Sequence, residues 1–225
     1  MKPLAFSTLF LTLLFPRVLA ASSSGLNNIP TADTALHLTM VFQEYSFYKS
    51  RNPASHTIGF KFGLDPWSGR NNRSRFEIGL DGYFGAGPAV LQAKWAFDTG
   101  KGRPSFSIGT ANVAGTASAR RTAGQPFSFA VVTEDLGLVR LHGGYALQGG
   151  HNNTALLGAD RTIKVLHRDL MFRADAVQTA HQDNWETSFG AIYGIHRHFA
   201  VESWISQPLH GGHAGFMVKL DFVIP

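Results

Sequence analysis

The chain has 225 residues, 44% of them hydrophobic, with 20 Lys and Arg against 15 Asp and Glu, a formal charge of +5 and no cysteine. The missing cysteines exclude a small disulfide-stapled secreted domain. The basic residues Lys49, Arg51, Arg70, Arg73, Arg75, Lys101, Arg103, Arg120 and Arg121 are scattered over turn-like segments, so the charge is a poor fit to a nucleic-acid face.

Residues 1–20 read as a secretory signal: Lys2 supplies the positive start, Leu4 to Phe15 the apolar run, and Val18-Leu19-Ala20 the small residues before a cut. Pro16 and Arg17 end that run well short of the roughly 20 apolar residues that a spanning helix needs. Residues 21–34 (Ser22, Ser23, Ser24, Gly25, Asn27, Asn28, Pro30) are small, polar and turn-like, and read as a periplasmic N-terminal lead-in. From 35 to 225 the dominant signal has a period of two, the mark of strands with one oily and one polar face.

The expected strands follow in order. The first, 35–47, sets Leu36, Leu38, Met40 and Phe42 on one face. The second, 56–64, puts Ile58, Phe60, Phe62 and Leu64 outward. The third, 75–85, alternates Phe76, Ile78 and Leu80 with Glu77, Gly79 and Asp81. The fourth, 89–98, sets Leu91, Ala93, Trp95 and Phe97 against Gln92, Lys94, Ala96 and Asp98. The fifth, 104–112, has Phe106 and Ile108 outward. In the sixth, 126–134, the oily row is Phe127, Phe129 and Val131. The seventh, 136–147, and eighth, 153–161, carry Arg140, His142 and Asp160 on the polar row. The ninth, 164–178, carries Arg173 and Asp175 there. The tenth, 185–194, sets Trp185, Phe189, Ala191 and Tyr193 outward. The eleventh, 198–206, has Glu202 and Trp204 inward, and the twelfth, 214–224, ends the chain.

This pattern predicts an all-β, antiparallel transmembrane β-barrel of about 12 strands, with 10–14 compatible with the spacing. An even count leaves both termini on the periplasmic side. The longest outward loop then falls at about 113–125, and 65–74 becomes an unusually long periplasmic turn. Trp95, Phe97, Trp185, Tyr193, Phe199 and Phe222 are candidates for interfacial girdles.

The mature chain resembles bacterial outer-membrane β-barrel proteins of the uncharacterised, porin-like class. The hexapeptide Asn28-Ile29-Pro30-Thr31-Ala32-Asp33 resembles the start of many of its members. Members commonly end on an aromatic; this chain ends Phe222-Val223-Ile224-Pro225. The resemblance implies residence in the bacterial outer membrane, contact with its lipid and lipopolysaccharide, and delivery by the barrel-assembly machinery. It implies no particular substrate.

The polar rows hold the candidate lumen-lining set: Lys61, Glu77, Asp81, Lys94, Asp98, Arg140, Asp160, Arg173, Asp175 and Glu202. A lipid-facing charge is costly, which sends these side chains inward. Two readings follow: a narrow passive channel for small solutes, weakly favouring cations because inward acids outnumber bases, or a non-conducting structural or surface-interaction barrel filled by the same charges. Inward Gly59, Gly63, Gly79, Gly109, Gly158 and Gly190 leave room, which favours the first. An outer-membrane hydrolase ranks third. His142, His196, His198, His210 and His213, with Ser203, Ser206, Asp135 and Glu202, form no recognised catalytic motif. His196-Arg197-His198 and His210-Gly211-Gly212-His213 lack acidic or thiol partners for a metal. No catalytic residue, metal or cofactor is therefore assigned.

Overall fold

The computed structural model describes residues 25–49, 55–65, 74–83, 89–100, 102–117, 126–148, 153–178 and 184–225. Twelve strands run in chain order: β1 (Met40–Lys49), β2 (Ser55–Leu64), β3 (Ser74–Tyr83), β4 (Val90–Asp98), β5 (Ser105–Ala114), β6 (Phe127–Asp135), β7 (Arg140–Gln148), β8 (Thr154–Val165), β9 (Arg168–Gln178), β10 (Trp185–His196), β11 (Phe199–Pro208) and β12 (Gly215–Ile224). Each pairs antiparallel with its sequence neighbours, and β1 pairs with β12 from Met40↔Ile224 to Lys49↔Gly215, closing the barrel. Closure leaves no strand edge unpaired, the condition for crossing lipid with strands.

The oily rows point outward. Phe42, Phe60, Phe199 and Phe222 form an aromatic patch near one end, with Phe42–Phe60 centroids 5.1 Å and Phe199–Phe222 centroids 4.9 Å apart. Trp95 and Phe97, 4.6 Å apart, lie at that same end, and Tyr48 and Phe216, 6.3 Å apart, at the other. At the first end most connections are short (99–104, 136–139, 166–167, 197–198). Here Leu166 and His167 both adopt positive φ, 49° and 64°, as a two-residue hairpin matching the strand twist demands. This is the turn end; the opposite is the loop end. The described ends of β2 and β3 that bound the connection expected at 65–74 lie at the turn end, and 66–73 themselves lie outside the described residues. The loop expected at 113–125 follows the loop end of β5, and its residues 118–125 lie outside the described residues.

The first strand departs from expectation. Met40 and Phe42 occupy the oily row, but Leu36 and Leu38 precede the strand. Leu38 has φ 55°; its N–H donates to Gly63 O at 2.9 Å, and Gly63 N–H donates to Thr39 O at 3.0 Å. Through this hinge the chain swings from the barrel interior into the wall. Residues 25–36 thus lie inside the barrel and not in a lead-in beneath it. Several of their polar groups bond to the charged inward rows, while Asn27 Oδ1 and Thr34 Oγ1 are buried without a hydrogen-bond partner. On β6, Phe129 and Val131 face inward, contrary to their expected outward placement, because Leu26 and Ile29 of this inner segment cover them.

Candidate functional site: a plugged lumen

Residues 25–36 form a plug. Near the turn end, Ala35 N–H donates to Glu77 Oε2 at 2.6 Å, and Asp33 takes two parallel hydrogen bonds from Arg140, both 3.0 Å. Ala32 N–H donates to Thr133 Oγ1 at 3.1 Å. The Thr31 carbonyl accepts from Lys94 Nζ at 3.3 Å and Ser107 Oγ at 3.0 Å. Further in, Asn28 N–H donates to Asp175 Oδ2 at 2.9 Å and Asn27 Nδ2 to Ser188 Oγ at 2.8 Å. The segment then reverses: Leu26 N–H donates to Ile29 O at 2.8 Å, and the Gly25 carbonyl accepts from Arg173 Nη1 at 3.0 Å. The plug is a hairpin whose tip reaches the middle of the lumen and whose base is fixed at the turn end.

The inward glycines are where the wall admits it. A Cβ at Gly63 would stand 2.1 Å from Leu36 O, and one at Gly158 would stand 2.3 Å from Leu26 Cδ1. Other inward glycines accept side chains instead: Gly59 faces Asp81, Gly79 faces Gln92, Gly109 faces Phe129 and Gly190 faces Trp204. The space these residues leave is therefore occupied space.

Two ionic networks stiffen the wall. At the turn end Arg140 is shared between Asp33 and Asp160, the latter at 2.9 and 2.6 Å. His142 bridges Asp160 (Nε2 to Oδ2, 3.0 Å) and Thr133 (Nδ1 to Oγ1, 2.9 Å). Asp160, as a carboxylate, accepts from His142 Nε2–H, so the assignment in which Nδ1 accepts the Thr133 hydroxyl proton, while Thr133 Oγ1 accepts from Ala32 N–H, satisfies all three groups. On the opposite side, buried Glu202 pairs with Arg173 at 2.5 Å and Lys219 at 2.8 Å, and Gln43 Nε2 donates to Asp221 Oδ1 at 2.7 Å. Burying such charges is tolerable only when they are paired and hydrogen-bonded.

Above the plug tip, toward the loop end, lies a cavity of about 490 Å³. Residues 25–30 make its floor; Tyr45, Phe47, Lys61, Asp81, Gln92 and Trp204 are among its walls. This cavity, bounded on one side by the plug tip, is the vestibule.

The sequence-derived set distributes as follows. Lys61 and Asp81 line the vestibule, and Glu77 and Lys94 reach both vestibule and plug. Arg140, Arg173 and Asp175 hold the plug directly, whereas Asp160 and Glu202 orient the two arginines. Asp98 departs from the set: it is exposed at the rim, where its Oδ1 accepts Gly100 N–H at 2.8 Å and caps a turn. Of the histidines weighed for catalysis, His142 is structural within the lumen. His198 Nδ1 is 2.9 Å from Val223 O at the turn end, and His210 lies in a loop-end connection beside Asn184. Among the described residues no group of three or more His, Cys, Asp or Glu could hold a metal ion. The residues that sequence reading missed are Asp33, Thr31, Asn27 and Asn28. The Asn-Ile-Pro-Thr-Ala-Asp segment was the available signal, yet nothing in a short polar stretch says that it lies inside a barrel.

No family model matches the chain, and no curated protein matches it. Among solved structures the chain is similar to a KdgM porin, with a TM-score of 0.54 at 6% identity over 81% of this chain and 98% of that one. It is similar also to a NanC porin, with a TM-score of 0.50 at 8% identity over 80% and 98%. The fold is that of the porin-like outer-membrane β-barrels, with twelve strands.

Proposed function

We propose that this chain is an outer-membrane barrel that passes small solutes when its N-terminal plug leaves the lumen, and is closed in the conformation described. The carrying observation is the manner of closure. A single hairpin is held mainly by hydrogen bonds to a charged wall (Glu77, Lys94, Arg140, Arg173, Asp175), which water can replace on withdrawal. The exposed wall would then be polar enough to wet, and its acids give a weak preference for cations. Short connections at one end and longer ones at the other support periplasmic termini and a vestibule open to the outside. Signal removal at residue 20, contact with lipopolysaccharide and use of the barrel-assembly machinery belong to the same reading.

One observation favours the non-conducting alternative. Leu26 and Ile29 bury themselves among Phe129, Val131, Ala146 and Leu156, an apolar lock at the plug tip. Planar-bilayer recording decides between the two. The intact chain should show rare openings, and a variant lacking residues 21–37 after the signal should conduct steadily. A deletion variant that folds, by heat-modifiable gel mobility, yet stays silent would refute the gated channel.

A further inference from the structure

A carboxylate, a hydroxyl and an imidazole meet on the outer wall, away from the lumen. Glu44 and Ser46 share the outward row of β1, and His56 is the β2 residue directly opposite Ser46. Ser46 Oγ donates to Glu44 Oε1 at 2.9 Å, His56 Nδ1 is 3.0 Å from Ser46 Oγ, and the same nitrogen is 3.3 Å from Glu44 Oε1. Their cross-strand neighbours are apolar: Val218 faces Ser46, and Leu220 and Ile58 face Glu44. Ionisable side chains are expensive on a lipid-facing wall and mark functional sites there.

The depth is specific. Tyr48, packed on Phe216 in the loop-end aromatic patch, is the next outward residue above Ser46. Aromatic belts sit at the headgroup level, so the cluster lies just below it, at the depth of the ester linkages of a membrane lipid. Beneath it the outward row of β2 runs from His56 through Ile58 to Phe60. Opposite Ile58 is Gly82, where an added Cβ would meet only Ile58 O, at 3.9 Å. Phe60, four residues along β2 from His56, borders an apolar groove of about 470 Å³ together with Ile78, Leu80, Leu91, Ala93 and Val113, and Ile58 lies between this groove and the cluster. A polar cluster joined by an outward apolar row to such a groove has the form of an amphiphile site.

We propose that this surface binds an ester-linked acyl chain of an outer-leaflet lipid and hydrolyses it, with Ser46 as nucleophile. The ester carbonyl carbon stands at Ser46 Oγ, and the acyl chain runs from there over Ile58 into the groove at Phe60. The Ser46 hydroxyl turns its proton from Glu44 Oε1 to the unprotonated Nδ1 of His56. Oγ bonds to the acyl carbon as that proton passes to Nδ1, and the Glu44 carboxylate beside the nitrogen holds the imidazolium. The C–O bond to the lipid breaks, and the leaving alkoxide takes the proton from His56. Water then cleaves the acyl-serine by the same path, releasing a fatty acid and restoring the hydroxyl. The proposal rests on membrane placement and the orientation given above, not on conduction.

The test uses the full chain, refolded and checked by heat-modifiable mobility, and treats it with an alkyl fluorophosphonate. Fatty-acid release is measured separately from phosphatidylethanolamine vesicles and from lipopolysaccharide. The expected result is a single adduct on the peptide carrying Ser46, absent in Ser46→Ala, with release from one or both lipids. His56→Gln should lower the release rate about a hundredfold or more. Release from vesicles alone assigns a glycerophospholipid; release from lipopolysaccharide alone assigns its acyl groups. No adduct, an adduct without release, or release unchanged in Ser46→Ala would overturn the proposal. The heat-shift separates these results from failure to insert.

Discussion

Replacing Asp33 by Ala removes the clamp at the plug base. Asp33 receives two hydrogen bonds from the Arg140 guanidinium, each 3.0 Å, in a bidentate pair. A hydrogen bond to a charged group contributes about 1.5–3 kcal/mol when buried. Here both side chains are roughly a quarter exposed, 25% for Arg140 and 22% for Asp33, and Arg140 keeps Asp160 as a partner. Solvent screening and that residual pairing reduce the net loss to about 1.5–3 kcal/mol for the two bonds together. Since 1.4 kcal/mol is tenfold in an equilibrium, the ratio of withdrawn to inserted plug should rise by about ten- to a hundredfold. Single-channel recording reads this as open probability, and proteolysis of the N-terminal segment reads it independently. Arg140→Ala should open the barrel by at least as much. The double variant should fall short of the sum, because the two changes break one interaction. An unchanged open probability in folded Asp33→Ala would show that the Asp33–Arg140 pair does not hold the gate.

Other outcomes follow from the same geometry. Gly63→Ala places a Cβ against the Leu36 and Ala35 carbonyls, so it should loosen the plug base and raise protease sensitivity near residue 36, whereas Gly143→Ala, with open space around it, should not. Glu202→Ala leaves Arg173 and Lys219 buried without their shared carboxylate; it should cost about 3–5 kcal/mol, measured by urea unfolding in vesicles. Replacing Leu166-His167 by Asn-Gly relieves two residues held at positive φ and should stabilise the barrel by about 1–2 kcal/mol in the same assay.

The barrel itself was legible because strand alternation is a local property. Phe76, Ile78 and Leu80 against Glu77, Gly79 and Asp81 assign faces without knowledge of any neighbour, and the outcome on β3 matches. The rule misassigned β6, where Phe129 and Val131 turn inward because a distant segment supplies Leu26 and Ile29 to cover them. It also misplaced Leu36 and Leu38, whose spacing continues the β1 rhythm although the chain has already left the wall at the Gly63 contact.

By itself, then, the sequence determined an antiparallel barrel of about 12 strands, with 10–14 open, and most of the inward charged row, since period and turn chemistry are written in consecutive residues. The count of twelve came with closure of β1 on β12. Tertiary structure alone decided what those charges do. Arg140 finds Asp33 across 107 positions and Asp175 finds Asn28 across 147, distances over which no local pattern carries information. Ser46 and His56 meet only because β1 and β2 pair in one register, and a shift by a single residue would turn one of them to the other face.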